Sequence, residues 1–327
     1  MAKRRTTTDW SWLRWLIESN LRRQPGFPKD LRLETRLATD YDGLCHDNYF
    51  FAVAGQGFVL RLAKRFRSLR GPAESRKSLP REAETLQRLA ECNLPFPVPR
   101  LVCTVTDESG VILGIIESCL DGAPLSQLKN AIAGCSRLEV IAEVAAQVHR
   151  LPKAEFPHVA AYPDSDSHVG AELNALPTAL LANWPVAAAA RDWIVAHRAN
   201  RPSVALHGDL LPQNLLCDIL HNGRISVIDW ECMRIGDPAY DLAIVTRGAR
   251  KPQNESGGFD RMLAAYNAAS ETSLPASAVR IHELLLHLQW LAETARQQAT
   301  GKLDGHRPDH YAQMLGSLLR RIDSRPS

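Results

Sequence analysis

The segment Leu206-His207-Gly208-Asp209-Leu210-Leu211-Pro212-Gln213-Asn214 sets an aspartate and an asparagine between two apolar runs that read as strands. Val204-Ala205-Leu206 leads into it and Leu215 to Leu220 leaves it. Asn222-Gly223 is a two-residue hairpin signal, and Arg224 to Ile228 alternates as a returning strand with Asp229 at its far end. A tight turn at 222–223 sets His221 opposite Arg224, Leu216 opposite Asp229 and Asn214 opposite Glu231. Asn214 and Asp229 then meet at the open end of the ribbon, about 7–8 Å apart at the backbone. One cation can bridge that span, and Asp209 lies in the loop that feeds it. Two carboxylates and an amide oxygen form an oxygen-only donor set, which suits magnesium. Each piece alone is weak, since His-Gly-Asp occurs by chance and an Asn before a strand is commonly a cap. The ordered set is far more specific.

Asp209 and Asn214 reproduce the D-x-x-x-x-N spacing of a kinase catalytic loop, and Asp229 stands where the metal-binding aspartate of D-F-G would be. His207-Gly208-Asp209-Leu210, Asn214, Ile228-Asp229-Trp230-Glu231 and Gly236-Asp237-Pro238-Ala239-Tyr240-Asp241-Leu242 together resemble the aminoglycoside phosphotransferase family, which includes choline-kinase-like small-molecule kinases. The resemblance covers roughly residues 30–300. It implies an α+β, bilobal protein-kinase-like fold, with an antiparallel sheet and one helix in the first lobe and a mainly helical second lobe. It implies Asp209 as the base that takes the acceptor hydroxyl proton, and Asn214 and Asp229 as magnesium ligands on the phosphates of ATP. His207 and Asp241 are implied as structural supports of the catalytic loop.

The first lobe must then supply a cation for the phosphates and a helix carboxylate to position it. Phe58-Val59-Leu60-Arg61-Leu62 carries a cation in mid-strand, where burial without a partner is costly. On the helix expected from about Arg81 to Cys92, Glu82, Leu86 and Leu89 share a face, which makes Glu82 the inward partner. Arg61 replaces the protein-kinase lysine and binds phosphate as a planar fork. The family resemblance places the interlobe hinge at Ile116-Glu117-Ser118-Cys119, with backbone groups of Glu117, Ser118 and Cys119 on the adenine. No G-x-G-x-x-G occurs; Asp42-Gly43-Leu44-Cys45-His46-Asp47-Asn48 occupies that turn instead.

Further strands are expected near 31–37, 48–54, 100–106 and 111–117, with Lys64 to Pro80 as a loop. A helix over 9–22 places Trp12, Trp15 and Leu16 on one face. Composition changes at 117–122, giving a nucleotide-binding lobe of residues 1–118 and a catalytic and acceptor-binding lobe of 119–327. The stretch 152–177, rich in Pro, Ser and Asp, reads as a long connection.

The chain of 327 residues is 45% hydrophobic and 23% charged, with a net charge of only +3. That balance argues against a nucleic-acid partner, and Lys3-Arg4-Arg5 is a local run. No apolar stretch approaches the roughly 18–20 residues that span a bilayer, and no secretory h-region follows the first residues. The 7 cysteines are irregularly spaced without C-x-x-C. A cytoplasmic protein with reduced thiols, a monomer or homodimer without membrane contact, is expected.

The partner is a small-molecule hydroxyl acceptor. Trp230, Glu231, His282, Glu283, Trp290 and Glu293 lie where the resembled family lines its acceptor pocket. Their acidic and aromatic character points to an amine-bearing acceptor, aminoglycoside-like or an amino alcohol. The rivals are a non-catalytic nucleotide-binding regulator on the same fold and a metal-dependent hydrolase using His207 and Asp209. Retention of Asp209, Asn214 and Asp229 speaks against the first; His221, at the wrong end of the hairpin, speaks against the second.

Overall fold

The computed structural model describes residues 10–33, 46–63, 72–107, 109–128, 136–221, 223–246, 256–301 and 305–323, with only the backbone for 72–77. Lys3-Arg4-Arg5, residues 34–37 of the expected first strand, Asp42 to Cys45 of the phosphate turn, Cys135 and Asn222 lie outside the described residues. The chain divides into two compact units. The first holds residues 1–124, 155–158 and 215–232, and the second holds 125–154, 159–214 and 233–327.

The first unit opens with α1 (Trp10–Leu21). Its inward face is Leu13, Leu16, Ile17, Asn20 and Leu21, while Trp15 is 52% exposed. The expected Trp12–Trp15–Leu16 face is therefore rotated, because the aliphatic residues fill the sheet core more closely. A sheet follows from β1 (His46–Val53) and β2 (Gln56–Ala63). Next comes α2 (Pro72–Glu91), then β3 (Leu101–Thr106) and β4 (Ile112–Ser118). The antiparallel strand order is β1-β2-β4-β3. Residues 31–33 are described but belong to no strand.

Strand alternation gives the sheet two different faces. Tyr49, Phe51, Phe58, Leu60, Leu62, Cys103, Val105 and Ile116 pack with α1 in one apolar core. Val59 and Arg61 of β2 and their partners Glu117 and Ile115 of β4 lie on the opposite face. Gly114 is required where these strands meet, since a Cβ there would stand 2.5 Å from the Arg61 carbonyl oxygen. Helix α2 begins well before the expected Arg81. Pro80 lies inside it, exposed and lacking an N–H, while Ser78, Leu79, Glu82 and Ala83 are buried around it. Packing of that inward face outweighs the one lost hydrogen bond.

The first part of the chain ends at β5 (Ala123–Pro124). The second unit contains α3 (Arg137–Val148), closed by a Ser136–Glu139 capping box, and β6 (Ala160–Ala161). The expected long connection at 152–177 is instead structured around α4 (Ser165–Asn174), started by the Asp164 side chain accepting from the Ser167 amide. Helices α5 (Thr178–Asn183) and α6 (Pro185–His197) and strand β7 (Val204–Leu206) complete this stretch.

The chain then returns to the first unit as a hairpin, β8 (Leu215–Asp218) and β9 (Arg224–Val227), with β5 pairing on β8. The register differs from expectation: Leu215 faces Val227, Leu216 faces Ser226 and Asp218 faces Arg224. The Asp218 carboxylate accepts from the Leu220 and His221 amides and from the His221 ring. These bonds stabilise a wider loop than the two-residue turn, so every opposite pair shifts.

In the second unit, β10 (Arg234–Gly236) joins β6 and β7 in a small sheet. Helices α7 (Ala239–Ala243), α8 (Gly258–Ala269), α9 (Ala276–Ala299) and α10 (Pro308–Asp323) follow. Residues of α4, α6, α9 and α10, among them Val169, Ala190, Ile194, Leu284, Leu288 and Leu315, form its apolar core. Among the described residues no helix is long and apolar enough to cross a membrane.

Candidate active site

In the first unit the polar face of the sheet gathers the expected cation and its partner. Arg61 is 7% exposed, with Nη1 3.0 Å from Glu82 Oε1 and Nη2 2.6 Å from Asp229 Oδ1. The Arg61–Glu82 pair is thus as expected, and Asp229 joins it. Burial works to lower the Arg61 pKa, but Glu82, Asp229 and Glu117 outweigh it and raise it. Burial pushes Glu82 up, against the pull of Arg61. It also pushes the Glu117 carboxyl up to about 7, again opposed by Arg61. Glu82 Oε2, Glu117 Oε2 and Glu231 Oε2 are buried there without a hydrogen-bond partner.

Asp229 has a φ of +70°, a left-handed conformation uncommon for a residue other than glycine. It is held from both sides. The Val227 amide donates to the Pro97 carbonyl at 3.0 Å, and the Trp230 indole N–H donates to the Val227 carbonyl at 3.1 Å. Trp230 is 1% exposed and stacks near Phe96. Fixing Asp229 in this conformation aims its carboxylate at Arg61.

Corrections to the sequence reading follow from this packing. Trp230 is a core residue, and Glu231 is buried beside His46, its Oε2 3.4 Å from Nδ1. Neither forms an acceptor wall. Glu117 contributes its side chain to the charged cluster and not only its backbone to a hinge. The amides of Ser118 and Cys119 donate to the Arg100 and Gly57 carbonyls, at 2.9 and 3.0 Å. The sheet therefore uses these N–H groups, which a free hinge would offer to adenine.

The second unit holds the loop of Asp209. Asp241, fully buried on α7, accepts from the His207 amide through Oδ2 and the Gly208 amide through Oδ1, both at 2.8 Å. Its Oδ2 also lies 3.2 Å from His149 Nε2, and the other ring nitrogen of His149 is 2.8 Å from the Tyr266 hydroxyl. Burial acts to raise the Asp241 pKa, but these partners overcome it and hold it below the usual carboxylate range. His207 is buried, and its Nδ1 accepts from the Asp209 amide at 3.2 Å. The loop then turns through Pro212–Asn214. The Asn214 amide nitrogen donates to the Asp209 carbonyl at 2.8 Å and to Asp209 Oδ2 at 3.2 Å.

These bonds bear on magnesium. Within the second unit Asn214 spends its donor on Asp209 and keeps an amide oxygen; within the first, Asp229 keeps a half-buried carboxylate. Both are hard oxygen donors and fit magnesium. Among the described residues no cluster of three or more His, Cys, Asp or Glu forms a metal site by itself.

His149, His46 and Ser78 were not picked out from sequence, because each lies far along the chain from the residues it touches. His282 and Glu283 were expected at an acceptor mouth but are internal. His282 Nε2 is 3.1 Å from Asp237, which Arg201 also holds at 2.7 Å, and Glu283 pairs with Arg280. Trp290 is partly buried near His287 and Tyr311, and Glu293 pairs with Arg296 at the surface.

The chain is similar to known proteins in sequence and in fold. Protein LicA of Haemophilus influenzae is 24% identical over 126 residues, which span 37% of this chain and 44% of that protein. The chain thus matches less than half the length of that curated relative. The crystal structure of a macrolide 2'-phosphotransferase from Brachybacterium faecium superposes with a TM-score of 0.62 at 22% identity, covering 98% of this chain and 99% of that one. An aminoglycoside phosphotransferase in ternary complex with ADP and hygromycin B superposes with a TM-score of 0.61 at 16% identity, over 90% and 96% of the two chains. The fold is the protein-kinase-like fold of these enzymes. The profile of the phosphotransferase enzyme family matches residues 42–279, and the chain belongs to that family.

Proposed function

We propose that this chain is a small-molecule kinase that transfers the γ-phosphoryl group of ATP to a hydroxyl of its acceptor. The observation that carries the reading is the bond from Asn214 to Asp209, which fixes a carboxylate and an amide oxygen in one short turn. In this reading residues 1–118 bind the nucleotide, and 119–327 carry the catalytic loop and the acceptor. The acceptor oxygen forms a bond to the γ-phosphorus as the bond to the β–γ bridging oxygen breaks. ADP leaves, and the hydroxyl proton passes to Asp209. Asn214 and Asp229 hold magnesium, which supplies charge neutralisation on the phosphates when bound. Arg61, oriented by Glu82, grips phosphate oxygens with its planar fork. Adenine lies along Glu117, Ser118 and Cys119, read by carbonyls of that segment. His207 and Asp241 keep the loop in place.

For the acceptor we favour an amine-bearing alcohol. The support is the hygromycin B complex of a solved structure that shares the fold. The test is ADP release across a panel of aminoglycosides, amino alcohols and neutral polyols. Turnover on amine-bearing members that falls with added salt is expected. Turnover on neutral polyols alone overturns the acceptor class. ATP binding without turnover on any member leaves a nucleotide-binding regulator as the better description.

A further inference from the structure

His46, outside the groups just given roles, stands beside Arg61 on the same face of the sheet. It begins β1 diagonally across from Arg61, since Asn48 is the direct partner of Arg61. It is 2% exposed. Its Nδ1 lies 3.4 Å from Arg61 Nη2 and 3.4 Å from Glu231 Oε2. Its Nε2 lies 3.2 Å from the Ser78 hydroxyl of α2. Arg81, also on α2, donates to the Glu231 carbonyl at 3.2 Å and ties that turn to the helix.

One ring nitrogen thus faces a donor and an acceptor and can serve only one of them at a time. With the proton on Nε2, Nδ1 accepts from Arg61, and the Ser78 oxygen accepts from Nε2. With the proton on Nδ1, the ring turns its N–H toward the Glu231 carboxylate 3.4 Å away, and the Ser78 hydroxyl donates to Nε2. A hydroxyl both donates and accepts, so Ser78 satisfies either tautomer.

Arg61 needs such a neighbour. Its Nη2 is engaged by Asp229 at 2.6 Å, the carboxylate that the proposed reaction gives to the metal. A buried guanidinium that loses a partner must find another acceptor or leave its place. We infer that His46 is a positioning residue for Arg61, its Nδ1 holding Nη2 in place as the guanidinium exchanges Asp229 for phosphate oxygens when nucleotide and metal bind. Glu231 and Ser78 hold the ring in place for that exchange. The inference rests on the proposed roles of Arg61 and Asp229.

His46→Leu, which fills the site without an acceptor, and His46→Asn, whose amide oxygen stands near the position of Nδ1, separate positioning from packing. Calorimetry with ADP, in EDTA and in magnesium, reads affinity without turnover. The leucine variant is expected to bind magnesium-ADP about tenfold more weakly and to raise KM for ATP similarly, with kcat within about threefold, the scale of one hydrogen bond to a charged group. The asparagine variant is expected to stay within about threefold of the parent. Equal behaviour of the two variants overturns the inference. If the leucine variant does not fold, long-range ¹H–¹⁵N spectra of the unmodified protein decide. Magnesium-ADP should move the His46 ring toward the Nε2–H tautomer, and Ser78→Ala should alter the balance; ring shifts that do not respond to nucleotide overturn it. Absence of any ADP or ATP binding by the parent protein overturns the kinase reading, and this inference with it.

Discussion

The loop around Asp209 and the cluster around Arg61 are built on opposite electrostatic terms. In the loop, the buried carboxylate of Asp241 has partners on both oxygens: the His207 and Gly208 amides and the His149 ring. Those partners more than offset its desolvation, and its pKa falls. Around Arg61, by contrast, the acidic groups Glu82, Glu117, Asp229 and Glu231 outnumber the guanidinium they surround. Burial there drives Glu82 and Glu117 the other way, and several of their oxygens have no hydrogen-bond partner. A region whose buried polar groups are satisfied is set to stay as it is, whereas one with surplus buried acceptors gains from an incoming cation. The first holds the proposed base in place; the second is completed by what binds to it.

The largest effect should come from the group that the rigid loop presents. Asp209→Asn keeps the bond pattern to Asn214 nearly intact but removes the proton acceptor. Turnover is expected to fall about 10²–10⁴-fold, with ATP affinity by calorimetry unchanged within about threefold. A variant with undiminished kcat would remove Asp209 from its role.

Asp241→Ala tests the rigidity itself. It strands two buried amides and the His149 ring, and about 3 kcal/mol of stability should be lost in urea melts. The folded pKa of Asp241 lies below its unfolded value of about 3.9. Its contribution is therefore present above about pH 4 and lost as pH falls through the folded pKa. The stability gap between parent and variant should be constant from pH 5 to 8 and shrink in more acid solution. A gap that persists undiminished well below pH 4 contradicts the assignment.

The same contrast explains how much of this was legible in the sequence. The loop was readable because its determinants are local: Asp209 and Asn214 lie in one turn, and Asp241 follows in a recognisable motif. The Arg61–Glu82 pair was readable because a mid-strand arginine needs a partner and helical periodicity singles out Glu82. What could not be read came from side chains competing with backbone rules. Asp218 bonded the hairpin loop and moved the register away from the Asn222-Gly223 prediction. Pro80 looked like a helix boundary, yet Leu79 and Glu82 on either side of it are fully buried and carry the helix through it. His46, Ser78 and Glu231 meet from three chain segments with no common motif, and only the fold brings them together.

A smaller effect should follow from loosening the Arg61 cluster on its helix side. Glu82→Gln keeps the shape of the side chain and removes its charge. KM for ATP is expected to rise about tenfold, the scale of one charge-assisted contact. The urea midpoint should move little, because the surplus of buried acid beside Arg61 falls at the same time. A large loss of stability with unchanged KM would show that the pair serves the fold and not the nucleotide.

The smallest effect, and the sharpest on the difference between the regions, belongs to Glu117→Gln. Burial pushes the Glu117 carboxyl up to about 7 in the folded protein, against about 4.3 when unfolded. Between these values the folded state holds more protons at this group, so the contribution of Glu117 to the stability of the metal-free protein falls as pH rises from about 4 to about 7 and then levels off. Glutamine carries no titrating proton and removes this contribution. The variant should match the parent near pH 4.5 and exceed it by about 1 kcal/mol at pH 8, below the ceiling of roughly 4 kcal/mol set by the full shift. The sign is opposite to that for Asp241, whose removal destabilises at neutral pH. Magnesium-ADP should erase the advantage, because a cation beside Asp229 relieves the same surplus of negative charge. A parent stability curve that rises between pH 4 and 7 in step with Glu117, or a glutamine variant less stable at pH 8 in EDTA, would place Glu117 with the satisfied carboxylates and remove the contrast.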